Sequence, residues 1–144
     1  MVFHGVGDIR LDEVPEPTIQ EPTDAIVRLT SSAICGTDLH IIRGTLAEMR
    51  EGTILGHEGV GVIEKVGPRV RNLNPGDRVV VGSTVGCGNC NHRRYIPKLV
   101  GLVATGALDP TEILTQREPA TGAIEAYEAF GQRQPGWIKV ELLP

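Results

Sequence analysis

The chain has 144 residues, enough for one domain with its own core and too few for a substrate domain plus a complete dinucleotide-binding domain. Aromatic residues are only 3% of the sequence, which predicts an aliphatic core and argues against a base-stacking surface. The net charge is −4, no Lys/Arg run exceeds two residues, and no apolar stretch approaches the ~20 residues of a membrane span, so neither nucleic acid nor a membrane is expected as a partner.

The segment Met1-Val2-Phe3-His4-Gly5 does not read as a signal peptide, and three cysteines do not form a disulfide framework. A cytoplasmic setting is therefore expected, in which thiols more often serve metals or catalysis. Eighteen glycines and ten prolines predict short strands and many turns. Ile9, Leu11 and Val14 approximate strand alternation before Pro15-Glu16-Pro17 breaks the chain. Strands are expected over 25–29, 59–66 and 78–81, the last two separated by the turn signal Asn74-Pro75-Gly76-Asp77. A short helix is placed near 37–43.

The second half changes period. Ile96, Leu99, Val100 and Val103 share one helical face, with Pro97 suited to the first turn and Gly106 to the C-terminal cap, which predicts a helix near 96–105. Ala123, Ala126, Tyr127 and Phe130 repeat the spacing, which predicts a helix near 121–131 with Thr121 as its N-cap. The alternation from Trp137 to Leu142 reads as a closing strand.

Three constellations can carry chemistry. In Cys35-Gly36-Thr37-Asp38-Leu39-His40 a thiol precedes a short helical turn on which Thr37, a good N-cap residue, and His40 are three apart and share a face. A hydroxyl and an imidazole so placed suit proton transfer between a buried site and solvent, although the same pattern fits a core cysteine and a surface histidine. In Gly56-His57-Glu58-Gly59 adjacent side chains point to opposite faces of a strand, so both reach one site only where glycines kink the backbone; alone, the pair fits a solvated turn equally well. Cys, His and carboxylate together supply three ligands, the number typical of a catalytic zinc with an open position. Cys87-Gly88-Asn89-Cys90, with His92, reads as a metal clip, a redox pair or spare thiols. Neither a complete GxGxxG fingerprint, nor a P-loop, nor a GxSxG elbow occurs.

Gly56-His57-Glu58 with Gly61, Gly67 and Val70 resembles the signature GHExxGx5GxxV of the zinc-containing medium-chain alcohol dehydrogenases. Cys35 to His40 is similar to that family's first ligand and proton relay, and residues 95–144 resemble the C-terminal end of its catalytic domain. The resemblance implies a mainly β, GroES-like, partly open barrel with a few helices, as a single domain over 1–144. It implies Cys35, His57 and Glu58 as zinc ligands, Thr37 and His40 as the relay, and a small alcohol or aldehyde as substrate in the intact family. In that family a Rossmann domain holding NAD(P) lies between the two matching pieces, and here they are joined near 86–95. NAD(P) binding and turnover are therefore not expected of the chain, and homo-oligomers are expected through the face the missing domain would cover. A weak zinc-dependent hydrolase or hydratase and a non-catalytic interaction module are the alternatives.

Overall fold

The structure, a computed structural model, describes residues 1–46, 49–82 and 92–144. Cys87, Cys90 and most of the expected junction near 86–95 lie outside the described residues.

The elements in chain order are β1 (Val2–Gly5), β2 (Asp8–Arg10), β3 (Ala25–Ala33), α1 (Gly36–Ile42), β4 (Gly59–Val66), β5 (Arg78–Val80), α2 (His92–Ala104), β6 (Gln116–Pro119), α3 (Ala123–Gly131) and β7 (Val140–Leu143). Single 3-10 turns, Pro110–Glu112 and Ala120–Gly122, precede β6 and α3. The strands form a five-stranded sheet in the order β5-β4-β3-β7-β6 and a separate two-stranded ribbon, β1-β2. Among the described residues neither sheet closes on itself, and the architecture is mainly β with three helices and an open sheet.

Long antiparallel pairing of β3 with β4 forms the centre of the sheet, interrupted by irregularities between Ile26 and Val27 and between Leu29 and Ser31. Such breaks turn side chains between faces, so β3 outruns the expected strand 25–29 while losing strict alternation. Gly61 makes the close approach possible: a Cβ there would lie 2.3 Å from the Arg28 carbonyl oxygen. The β4–β5 turn forms where the sequence signals it, with the Asn74 N–H donating to Asp77 Oδ2 at 2.8 Å and Gly76 at φ +95°. The chain's C-terminal strand, β7, enters between β3 and β6, pairing Ser32 with Leu142 and Ala33 with Glu141, and running parallel to β6.

Several expected boundaries move. Leu11 and Val14 fall outside β2 and are exposed, because the ribbon ends at Arg10. The strand expected over 137–142 starts only at Val140, with Ile138 exposed. α2 begins at His92, so Pro97 sits inside the helix rather than in its first turn. Thr121 lies in the 3-10 turn, and Gly122 takes the N-cap of α3. The core is not purely aliphatic: Tyr127 joins Ile34, Ala126 and Val140 in one cluster, and Phe3 joins Ile41 and Leu55 in the other. Among the described residues no helix is long and apolar enough to cross a membrane.

Candidate metal centre

Cys35 leaves the end of β3 and caps α1. Its N–H donates to Asp38 Oδ2 at 3.0 Å, the backward half of a capping box, so Cys35 takes the N-cap position expected for Thr37. The acidic residue three positions on decides this, because only Asp38 reaches back to the free N–H. Thr37 instead sits in the first turn, its Oγ1 3.7 Å from the Cys35 thiol, which donates to it.

His57 and Glu58 reach the same place from the other side of the β3–β4 pair. Gly56 holds φ +111°, a left-handed value that glycine adopts at little cost, and β4 starts only at Gly59. The two side chains therefore belong to an irregular stretch rather than a flat strand. The Glu58 carbonyl fixes that stretch by accepting from the Ala33 N–H at 3.0 Å and the Ser32 hydroxyl at 3.2 Å. One ligand atom from each of Cys35, His57 and Glu58 lies within 4.8 Å of the others, and all three residues are half-buried. Cys35 is a free thiol.

Two groups outside this trio define its electrostatics. Asp38 is fully buried, and its Oδ1 stands 3.2 Å from His57 Nδ1. The distance suits a hydrogen bond but the direction does not, so Oδ1 remains a buried polar atom without a hydrogen bond. With Nδ1 turned to a carboxylate, Nε2 is the nitrogen left for a ligand, an arrangement common to metal-binding histidines. Lys139, immediately before β7, donates from Nζ to Glu58 Oε2 and, at 3.2 Å, to the Ile34 carbonyl. The donor set fits a metal, with a thiol, an imidazole whose Nδ1 faces a buried carboxylate, and a second carboxylate, the last of which is shared with the Lys139 ammonium. Tyr127 donates its hydroxyl to Asp38 Oδ2 at 3.2 Å, and burial, with the Asp38 charge next to it, pushes its pKa far above the usual phenol value.

His40 lies on α1 with Thr37, but its ring is engaged elsewhere, Nδ1 standing 2.8 Å from Thr45 Oγ1. No hydrogen bond joins Thr37 directly to His40 among the described residues. Asp38, Tyr127 and Lys139 were not singled out from the sequence. Asp38 lay inside the first motif, where the capping-box spacing from Cys35 was the available signal. Tyr127 and Lys139 carried none, since their partners are 89 and 81 residues away.

Known proteins match much of the chain. The alcohol dehydrogenase GroES-like domain family covers residues 21–125, more than half of the chain, and the chain belongs to that family. A zinc-type alcohol dehydrogenase-like protein of Bacillus subtilis, AdhB, is 40% identical over 90 residues, which is 62% of this chain and 24% of that protein. Rat sorbitol dehydrogenase is 42% identical over 84 residues, 56% of this chain and 23% of that protein. Among solved structures, zinc-dependent alcohol dehydrogenase 2 from Streptococcus pneumonia superposes with a TM-score of 0.56 at 43% identity, covering 65% of this chain and 27% of that one. Alcohol dehydrogenase TADH from Thermus sp. ATN1 gives 0.54 at 40% identity, covering 68% and 28%. The chain thus spans about a quarter of the length of these relatives, and its similarity to zinc-type alcohol dehydrogenases lies in their GroES-like catalytic domain.

Proposed function

We propose that Cys35, His57 and Glu58 hold a zinc ion and that the chain is the metal-binding half of an NAD(P)-dependent alcohol dehydrogenase acting on small alcohols or aldehydes in a reducing, cytoplasmic setting. The convergence of those three ligand atoms within 4.8 Å carries this reading, with His57 turned to Asp38 in support. When bound, zinc supplies Lewis acidity toward an alcohol oxygen. Thr37 Oγ1, beside the Cys35 thiol, is the group placed to take the hydroxyl proton. His40 is exposed on the same helix with Thr45 steadying its ring, and because no direct hydrogen bond joins it to Thr37 among the described residues, it would release that proton to solvent only through a group bridging the two.

Hydride transfer also requires a nicotinamide held against the substrate carbon. Between β5 and α2 only residues 81–91 intervene, too few for a cofactor domain of ~100 residues or more. We therefore take residues 1–144 as one domain whose halves are rejoined near 86–95, and expect no turnover of ethanol or longer alcohols by this chain alone in the presence of NAD or NADP. The deciding measurement is metal stoichiometry. One zinc per chain is expected, lost in Cys35→Ser; zinc retained by that variant, or none taken up by the wild type, rejects the site. Steady zinc-dependent reduction of NAD or NADP would instead reject the claim of a half-enzyme.

A further inference from the structure

We infer that the Tyr127 hydroxyl is a positioning group for His57, acting through the buried carboxylate of Asp38. The inference rests on the proposed metal site for its consequence, but its geometry is independent of any metal.

A carboxylate's terminal torsion is soft, so Asp38 does not fix the plane of its own oxygens. Two donors fix it instead. The Cys35 N–H at 3.0 Å and the Tyr127 hydroxyl at 3.2 Å converge on Oδ2 from α1's first turn and from α3, which leaves Oδ1 as the oxygen facing His57 Nδ1 at 3.2 Å. With one donor the carboxylate group can swing about its Cβ–Cγ bond; with two it cannot. Asp38 has no exposure with which to recruit water as a substitute.

Tyr127 is itself held firmly. It is 4% exposed and packs with Ile34, Ala126 and Val140, so its hydroxyl cannot follow a shifting partner. Its raised pKa keeps it a donor across the working pH range. A helix from the C-terminal part of the chain thus sets the orientation of a ligand that the N-terminal part supplies. Metal-ligating histidines depend on such support for their tautomer, and losing a partner in direct contact with the ligand typically weakens metal binding by about 10–100-fold. Tyr127 acts one bond further out, so a smaller effect follows.

The test compares wild type, Tyr127→Phe and Ala126→Gly in the full chain, with two readouts. Long-range proton–nitrogen spectra report the His57 tautomer in metal-free protein, and chelator competition reports zinc affinity. The buried negative charge of Asp38, with Oδ1 3.2 Å from Nδ1, should hold wild-type His57 with its proton on Nδ1 even without an aligned hydrogen bond. Tyr127→Phe keeps the ring packing and should mix the tautomers while weakening zinc by about 3–10-fold, below the loss expected for removing the Asp38 carboxylate itself. Ala126→Gly loosens the same helix without touching Asp38 and should lower the melting temperature while leaving both readouts unchanged. An unchanged tautomer in Tyr127→Phe overturns the inference, as does Ala126→Gly producing the same tautomer change. Should wild type bind no zinc, the metal-site reading fails, and the tautomer still decides this one. A measurement needing no variant is exchange of the Tyr127 hydroxyl proton: protection is expected, and rapid exchange with water overturns the inference.

Discussion

Glu58 faces two demands, since Lys139 occupies the same carboxylate that would ligate a metal. Both partners are about a third exposed, so the ion pair contributes little to folding, on the order of 0–1 kcal/mol. Its larger effect falls on cation binding. A bound divalent ion must share Glu58 with the ammonium or displace it, and the two positive charges repel. Lys139→Met should therefore tighten zinc binding by roughly fivefold, the equivalent of about 1 kcal/mol, with little change in the melting temperature. Chelator competition and a thermal scan check both halves; weaker zinc binding would show that Lys139 holds Glu58 in place for the metal. The three candidate ligands that the structure brings together are legible in the sequence because each sits in a short motif whose local backbone rule, strand end or glycine kink, can be read from neighbours. Lys139 and Tyr127 were not, because they act on residues that only the completed sheet brings beside them.

At the scale of elements, the strands were read best where local turn chemistry and pairing agree. β4 keeps its expected bounds, Gly59–Val66, because the β4–β5 turn pins one end and glycines allow close pairing along it. The local pattern marks only 25–29 of β3, because its extension to Ala33 depends on partners, first β4 and then β7, that no local pattern announces. The two kinds of glycine should respond oppositely to the same change. Gly61→Ala forces a methyl against the Arg28 carbonyl and Val27, 2.3 and 2.7 Å away, and should destabilise the chain by about 2 kcal/mol or more. Gly101 lies within α2 with open space around it, so Gly101→Ala should favour the helix by up to about 1 kcal/mol. Urea denaturation of both variants checks the signs; a neutral Gly61→Ala would mean that β3 and β4 can separate at no cost.

The whole molecule is tied together by its last strand. β7 bridges β3 and β6, and the residue before it reaches Glu58, so the C-terminal segment completes both the sheet and the surroundings of the site. Against this closed side stands an open one. α2 carries an apolar stripe that the sequence marks as a core face, yet Leu99 is 45% and Val100 57% exposed, and Tyr95 and Val103 are exposed as well. Sequence periodicity records which face of a helix is apolar but not which surface covers it, and here the covering surface is missing from the described residues. An exposed Leu or Val gains roughly 1.5–3 kcal/mol when fully buried, so a contiguous stripe of them favours association. The chain should therefore self-associate through α2, giving a scattering mass above the 15.5 kDa of one chain at micromolar concentration. The double variant Leu99→Lys, Val103→Lys puts two charges on the stripe and leaves the fold's two core clusters untouched, since neither residue belongs to them. It should scatter as a monomer with an unchanged melting temperature and unchanged zinc content. A wild-type chain that is already monomeric would show that the stripe is too narrow to hold a second copy, and a double variant that still associates would move the contact to another face, one example being the exposed Val80 and Val81 at the β5 edge of the sheet.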